Sequence, residues 1–108
     1  MSYKIELTDN FKKEAKKLIK KYASLRIEIA ELGRQLAENP TIGTPLGNHV
    51  YKIRLSIASK NKGKSGGARV ISFIKIIDKT VFLLSIYSKG EIDSLTDKEI
   101  KELVKDYL

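Results

Sequence analysis

Basic residues at strand-like spacing are the feature of this sequence that points most directly to chemistry. Lys52 and Arg54 are two residues apart in a segment that alternates apolar and polar residues, so a strand would place both on one face. Arg69 opens a second strand-like segment, and Tyr87 and Lys89 end a third. If the three segments pair, their cations and the phenol converge on one surface. Guanidinium groups bind phosphate oxygens in pairs, and fixed cations stabilise developing negative charge, which fits phosphoryl chemistry on RNA.

Proton transfer is the harder requirement for such chemistry. Cleavage of RNA by its own 2′-hydroxyl needs a base for that proton and an acid that protonates the departing 5′-oxygen. His49 is the single histidine, and it equally fits a backbone hydrogen bond or a place beside a bound phosphate. A lysine, or a tyrosine whose pKa is lowered by neighbouring cations, can replace histidine. Solvated sheet lysines and a strand-packing Tyr87 are the structural alternative, so binding without cleavage stays open.

The positive charge of the chain is concentrated in its middle segment. The formal net charge is +8, and residues 41–89 account for all of it, because they hold nine basic residues against Asp78 alone. A polyanion is expected to bind here, and nucleic acid is the polyanion that fits best. The basic residues of the segment are Lys52, Arg54, Lys60, Lys62, Lys64, Arg69, Lys75, Lys79 and Lys89.

Other classes of protein are disfavoured by the composition. The sequence contains no cysteine and one histidine, which rules out disulfides and thiolate metal sites and makes a histidine-built zinc site improbable. No apolar run approaches the roughly 20 residues that span a bilayer, and the first residues contain no apolar signal core. We therefore expect a cytoplasmic protein that does not contact the membrane.

The elements that must position the basic residues begin with a strand and a helical hairpin. Residues 3–7 alternate as a strand does, and Thr8 or Asp9 offers a helix N-cap. Apolar residues then recur every three or four positions over 11–36. One helix of that length would be about 45 Å long, too long for a domain with a radius of gyration of about 13 Å. We therefore predict a break near residues 23–24.

Three strands and a last helix complete the prediction. Glycine, proline and asparagine at 43–48 indicate a loop, and residues 59–67 indicate a flexible basic loop. Short connections between the strands at 50–57, 68–77 and 81–87 favour an antiparallel meander. Thr96 to Glu99 matches a capping box for the last helix. The sequence thus predicts an α+β fold of order βααβββα, with residues 1–108 forming a single domain.

Four segments taken together resemble HigB-like toxins of the RelE/ParE superfamily. Each motif is short, but their order and spacing as a set are fairly specific, and the resemblance covers most of the chain from about Gly43 onward. The segments are Tyr51-Lys-Ile-Arg-Leu55, Lys64-Ser-Gly-Gly-Ala-Arg-Val-Ile71, Val81-Phe-Leu-Leu-Ser-Ile-Tyr-Ser-Lys89 and Ile92-Asp-Ser-Leu-Thr-Asp-Lys-Glu-Ile100.

The resemblance implies the toxin of a type II toxin–antitoxin system. Such a toxin is a ribosome-dependent messenger-RNA endoribonuclease that cuts by 2′-hydroxyl attack, with neither metal nor cofactor. Its implied partners are the ribosome, messenger RNA and a cognate antitoxin that often carries a DNA-binding helix-turn-helix.

The resemblance also implies roles for individual residues. Arg54 and Arg69 would hold the scissile phosphate, and Tyr87 and Lys89 would lie near the cut bond. Arg69 is expected to be exposed on a rigid strand, so that Arg69→Ala would abolish toxicity with little loss of fold. The residues expected to bind RNA are Lys52, Lys60, Lys62, Lys64 and His49.

Two alternative functions stay open for this sequence. A ParE-like inhibitor of DNA gyrase would share the fold and cut nothing, but it would not need cations clustered on three strands. A non-catalytic RNA-binding module would normally present more stacking aromatics than these strands contain.

Overall fold

The computed structural model describes residues 2–58, 67–90 and 94–108, which form three helices and a five-stranded sheet. The strands are β1 (Lys4–Leu7), β2 (Thr44–Gly47), β3 (Val50–Leu55), β4 (Ala68–Lys75) and β5 (Thr80–Ser88). The helices are α1 (Asp9–Lys21), α2 (Leu25–Glu38) and α3 (Asp97–Val104). Within the described ranges, no helix is long and apolar enough to cross a membrane.

The two N-terminal helices form the predicted hairpin. The Thr8 hydroxyl caps α1 by accepting a hydrogen bond from the backbone N–H of Phe11 at 3.2 Å. The helix ends at Lys21 and α2 starts at Leu25, which confirms the predicted break near residues 23–24. Both helices bury an apolar stripe against the sheet and leave the lysines of α1 exposed. The hairpin therefore covers one face of the sheet and leaves the other face for α3.

The strands follow the order β1-β5-β4-β3-β2. Strands β3, β4 and β5 form the predicted antiparallel meander, and β1 adds to β5 in parallel. The turn between β4 and β5 is a short 3-10 helix at Ile76–Asp78 followed by Lys79 in a left-handed conformation. The chain reverses direction between β4 and β5, as predicted, although β4 ends two residues earlier than predicted.

The predicted loop at 43–48 contains a strand, which corrects that part of the prediction. Thr44 pairs with Lys52 and Gly47 with Val50, so β2 forms the edge next to β3. Asn48 and His49 both have positive φ, 52° and 65°, as a two-residue hairpin turn of the primed type requires. This turn returns the chain directly onto β3, and its proline and glycines made the segment look irregular in sequence.

The sheet separates two apolar cores. The core between the sheet and the α1–α2 hairpin contains Val70, Leu83 and Ile86, and we call this side the hairpin face. The core under α3 contains Leu84 and Tyr87 together with residues of the helix, and we call this side the site face. The capping box that was predicted for α3 is present, since Thr96 accepts from the backbone of Glu99 and the Glu99 carboxylate accepts from that of Thr96.

Candidate active site

Three of the predicted site residues are direct cross-strand neighbours. Arg54 of β3 is paired with Arg69 of β4, and Arg69 is paired with Tyr87 of β5. Residues that face each other across antiparallel strands point to the same side of the sheet, with Cβ atoms about 4.5–5.5 Å apart. The pairing therefore aligns these three side chains in one row on the site face, which we call the arginine–tyrosine row.

Solvent exposure falls steeply along this row. Arg54 is exposed near the edge of the sheet, Arg69 is only 8% exposed, and Tyr87 is 4% exposed. The expectation that Arg69 is exposed is therefore wrong. The reason is its place on the central strand β4, between β3 and β5, with a guanidinium nitrogen donating to the Ala68 carbonyl at 3.2 Å. Its removal will affect packing as well as charge.

The row brings the positive charges of two arginines together on adjacent strands. In the described segments, no acidic side chain forms an ion pair with Arg54 or Arg69. Like charges directly opposite each other on neighbouring strands are destabilising by a few tenths of a kcal/mol up to about 1 kcal/mol. A bound anion between the two guanidinium groups would remove this repulsion, and each group can offer two N–H donors to it.

Tyr87 does not have the lowered pKa that its cationic neighbours suggested. Its hydroxyl is buried and makes no well-formed hydrogen bond in the described part of the chain, with the Ser94 side chain and the Leu95 backbone beside it. Burial raises the pKa of this phenol above its ordinary value of 10.0, and the Ser94 side chain, the positive charge of Arg69 and the Leu95 backbone oppose the shift without cancelling it. The possibility of a tyrosine whose pKa is lowered by cations is therefore not realised here. At neutral pH Tyr87 is protonated, so it can donate a hydrogen bond but cannot act as a base.

The remaining predicted site residues are placed at different distances from the row. Lys52 lies two residues from Arg54 on the same face of β3 and is half-buried. Lys89 follows the end of β5 and donates its backbone N–H to the Gly67 carbonyl at 3.1 Å. Both lie close to the row, at the end of the sheet where β4 begins. The basic residues predicted for the 59–67 loop lie outside the described residues: Lys60, Lys62 and Lys64.

His49 does not join this group. It occupies the β2–β3 turn, five residues before Arg54, which is about 17 Å along the strand. Its left-handed conformation serves the hairpin turn, and its carbonyl accepts the backbone N–H of Ile74 at 3.0 Å. The backbone role of His49 is therefore visible, and its side chain is exposed at the opposite end of β3 from the row.

Gly67 supports the site in a way that the sequence reading did not identify. Its φ is +77°, and a Cβ at this position would lie 2.5 Å from the carbonyl oxygen of Leu55. Only glycine fits this close approach without displacing the backbone. The approach brings the start of β4, and with it Arg69, against the end of β3. The signal in the sequence was the Gly66-Gly67 pair immediately before Ala68-Arg69.

Within 2–58, 67–90 and 94–108, histidine and acidic side chains form no group of three or more that could hold a metal ion. The positive charge of the site is supplied by its own arginine and lysine side chains.

Comparisons with known proteins identify the fold and the family. Residues 3–107 match the family model described as the RelE toxin of the RelE/RelB toxin–antitoxin system. The solved structure of the E. coli toxin RelE in the free state, in a variant with two arginines replaced by alanine, superimposes with a TM-score of 0.68. The two chains are 22% identical and each is covered completely. This likeness confirms the predicted fold.

The family match also bears on the two alternative functions that the sequence left open. It favours neither the gyrase inhibitor nor the non-catalytic RNA-binding module. The assignment to the HigB-like branch stays a prediction. The chain therefore belongs to the RelE toxin family: it is the toxin of a toxin–antitoxin system, it has a cognate antitoxin, and it acts as a ribosome-dependent messenger-RNA endoribonuclease.

Proposed function

We propose that the arginine–tyrosine row is the site where this toxin cuts messenger RNA, by 2′-hydroxyl attack and without a metal ion. The observation that carries the proposal is the pairing of Arg54 with Arg69 on adjacent strands, with no acidic partner for either among the described residues. A protein keeps such a repulsive pair on a well-packed sheet when it binds an anion. A phosphodiester is the anion that this family meets in its substrate.

The two guanidinium groups have distinct parts in this mechanism. In the reaction, O2′ of the ribose attacks phosphorus, the bond to O5′ breaks, and the products are a 2′,3′-cyclic phosphate and a 5′-hydroxyl. The extra negative charge develops on the non-bridging phosphate oxygens. Arg69 is held by its strand neighbours and by the Ala68 carbonyl, so it provides a preorganised donor for this charge. Arg54, which is exposed, captures the incoming phosphate.

Tyr87 and the neighbouring lysines complete the proposed site. The protonated Tyr87 hydroxyl can donate to a phosphate oxygen or to the departing O5′ but cannot accept the 2′ proton, and because it is buried, this contact requires the hydroxyl to become exposed when RNA binds. We assign the acceptance of the proton from O2′ to Lys89, because it follows β5 at the same end of the sheet, so that one group takes this proton while Tyr87 gives one to O5′. Lys52 would position the RNA backbone, together with Lys60, Lys62 and Lys64, which lie outside the described residues.

The partners follow from the same surface. The messenger RNA and the ribosome would meet the site face, where the cations of β3 and β4 lie. The cognate antitoxin would neutralise the toxin, and we expect it to carry a DNA-binding helix-turn-helix, as is common for antitoxins of this kind. The toxin would act in the cytosol, where translation takes place, and residues 1–108 would function as one domain.

Dependence on translation is tested with two versions of one reporter message. The chain is expressed from an inducible promoter, and primer extension maps cuts in a translated message and in the same message without its start codon. Cuts in the translated message alone are expected, and Arg54→Ala should lose them. Growth arrest with intact messages and damaged DNA would instead support gyrase inhibition.

Independence from metal is tested at the scissile phosphate. A phosphorothioate at that position weakens the binding of magnesium to the non-bridging oxygen, and a thiophilic ion such as manganese restores it where a metal acts directly. We expect slower cleavage of the phosphorothioate with no rescue by manganese. Rescue would contradict the proposed role of the arginines as the source of positive charge.

A further inference from the structure

We propose that Glu14 is a positioning residue for the active site, because it holds the bulge in β5 that turns Tyr87 onto the site face beside Arg69. The inference rests on the proposed function of the arginine–tyrosine row. Glu14 lies on α1, on the opposite side of β5 from that row, and nothing in the sequence links it to RNA.

The bulge is visible in the register between β4 and β5. Ile71 pairs with Ser85 and Ser72 pairs with Leu83, so Leu84 is an extra residue on β5. The effect of the bulge is visible in the core on the hairpin face. Both Leu83 and Ile86 pack there, although they are three residues apart in sequence. In a regular strand, residues an odd number apart lie on opposite faces. The bulge therefore shifts the alternation by one residue.

This shift decides which residue meets Arg69. From Val81 on the hairpin face, uninterrupted alternation would return Tyr87 to the hairpin face and put Ile86 opposite the arginines. With the bulge, Ile86 fills the hairpin core and Tyr87 pairs with Arg69. The row thus exists only because one extra residue is accommodated at Leu84.

Helix α1 stabilises this irregular stretch by replacing a missing strand. Strand β1 accompanies β5 as far as the pair Leu7 and Leu83, and beyond that point polar groups of α1 contact β5 instead. The Thr8 hydroxyl donates to the Leu83 carbonyl at 2.9 Å, and the Asn10 amide donates to the Leu84 carbonyl at 2.9 Å. Backbone groups that a bulge leaves without a ladder partner need such replacements.

Glu14 makes the contacts on the far side of the bulge. One of its carboxylate oxygens accepts the Ser85 hydroxyl at 2.7 Å, the backbone N–H of Ile86 at 3.2 Å, and the Asn10 amide at 3.0 Å. The bonds to Ser85 and Ile86 connect positions 71 and 72 residues apart in sequence, so they fix α1 to β5 rather than stabilise the helix alone. Hydrogen bonds to a carboxylate are stronger than those between neutral groups, which suits a clamp on an irregular strand.

The test compares substitutions of Glu14 for their effect on the chemical step. Glu14→Ala removes the acceptor, whereas Glu14→Gln keeps one carbonyl oxygen in its place. We expect the single-turnover cleavage rate at saturating toxin to fall about 10- to 100-fold in Glu14→Ala, as a misplacement on the ångström scale can cause. Ribosome affinity should be unchanged, and Glu14→Gln should restore most of the rate. Glu31→Gln is the matched control, because Glu31 is exposed on α2 and bonds within its own helix.

Two structural readouts separate positioning from simple stabilisation of the fold. In folded Glu14→Ala, the amide of Ile86 should exchange faster, and the nuclear Overhauser contacts of the Tyr87 ring with the side chains under α3 should weaken. Loss of stability alone would speed exchange of amides throughout the sheet and leave the Tyr87 contacts unchanged, so the acceleration at Ile86 must exceed that of the neighbouring β4 amides. Folded Glu14→Ala that cuts at the parental rate, or that cuts slowly with both readouts unchanged, would overturn the inference.

Two further comparisons keep the test decisive. If Glu14→Ala does not fold, Ser85→Ala takes its place, because it removes one contact of the clamp at little cost in volume; a parental rate in this variant would likewise contradict the proposal. If the unsubstituted chain does not cut translated messages, the proposed function is wrong, whereas the Ile86 and Tyr87 readouts still decide whether Glu14 holds the bulge.

Discussion

Arg54 and Arg69 face each other across β3 and β4, and no acidic side chain in the described ranges pairs with either of them. This arrangement is unfavourable for the folded protein on its own and favourable in the presence of a bound phosphate. The active site of a nuclease is thus expected to reduce the stability of the sheet that supports it. Substitutions in the row should therefore separate stability from activity.

Replacing Arg54 should increase stability while it removes activity. Arg54→Thr places a good strand former at an exposed position and relieves the repulsion with Arg69, so the free energy of unfolding should rise by about 0.2–1 kcal/mol. Cleavage of ribosome-bound message should fall at the same time. Urea unfolding measures the first effect. Lys4→Thr is the control, because Lys4 is an exposed strand cation near the Glu6 carboxylate and should show no gain.

The hydroxyl of Tyr87 should matter for cleavage and not for folding. It is buried without a well-formed hydrogen bond among the described residues, so Tyr87→Phe should leave the unfolding free energy unchanged or raise it by up to about 1 kcal/mol. The cleavage rate should fall, because the proposed donor to the phosphate or to O5′ is lost. Parental cleavage by Tyr87→Phe would leave Tyr87 with a packing role alone.

Ionisation of Tyr87 gives this comparison a second, pH-dependent signature. Its pKa is raised by burial, so above pH 10.0 the unfolded chain releases the phenolic proton before the folded one does. The stabilising contribution of the neutral phenol is present below that value and is lost as the pH rises towards the folded pKa. The stability difference between the parent and Tyr87→Phe should therefore shift in favour of the variant above pH 10. A difference that is constant with pH would contradict the assigned shift.

The turn residue His49 offers a test of the correction made by the structure. Glycine is preferred at the second position of this turn type, so His49→Gly should stabilise the protein by about 0.5–1 kcal/mol. Because the side chain lies about 17 Å from Arg54 along β3, the single-turnover rate should stay at the parental level. Thermal unfolding and the cleavage assay measure the two effects. A large loss of cleavage would show that His49 contributes to RNA binding.

Gly67 should be far more sensitive to alanine than a glycine in open space. Gly67→Ala combines a positive φ with a Cβ placed 2.5 Å from the Leu55 carbonyl, so we expect a loss of at least about 1–3 kcal/mol together with slower cleavage. Gly33→Ala is the matched control, because nothing lies within 4 Å of that position in α2 and alanine favours the helix by up to about 1 kcal/mol. Equal stability of the two variants would show that the approach of β3 and β4 tolerates a side chain.

Local patterns predicted the elements well because each was determined by neighbouring residues. The three- and four-residue spacing of apolar residues, a length argument and the capping box located the helices. Alternation in 50–57 correctly separated Ile53 from Arg54. The two-residue spacing of Lys52 and Arg54, with Arg69 at the start of the next strand, was enough to predict that these three basic residues share one face of the sheet.

Long-range contacts determined what the sequence could not predict. The burial of Arg69 and Tyr87 depends on their strands being central and on α3 covering the site face, neither of which is encoded near those residues. The face of Tyr87 depends on the bulge at Leu84, and its partner Glu14 lies on a lysine-rich helix where an acidic residue looks like ordinary surface. The strand at Thr44–Gly47 was hidden by its proline and glycines, because its pairing depends on the turn at His49.

The most direct test of the central claim is single-turnover cleavage on purified ribosomes by Arg69→Lys. Lysine keeps the positive charge at this position but loses the paired donors of the guanidinium, so Arg69→Lys separates phosphate coordination from charge alone. Arg34→Lys, at an exposed arginine of α2 that bonds to Glu31, is the control. We predict that the parent and Arg34→Lys cut the message to a 2′,3′-cyclic phosphate at equal rates, while folded Arg69→Lys cuts at least about tenfold more slowly. Cleavage by folded Arg69→Lys at the parental rate would contradict the assignment of the active site to the arginine–tyrosine row.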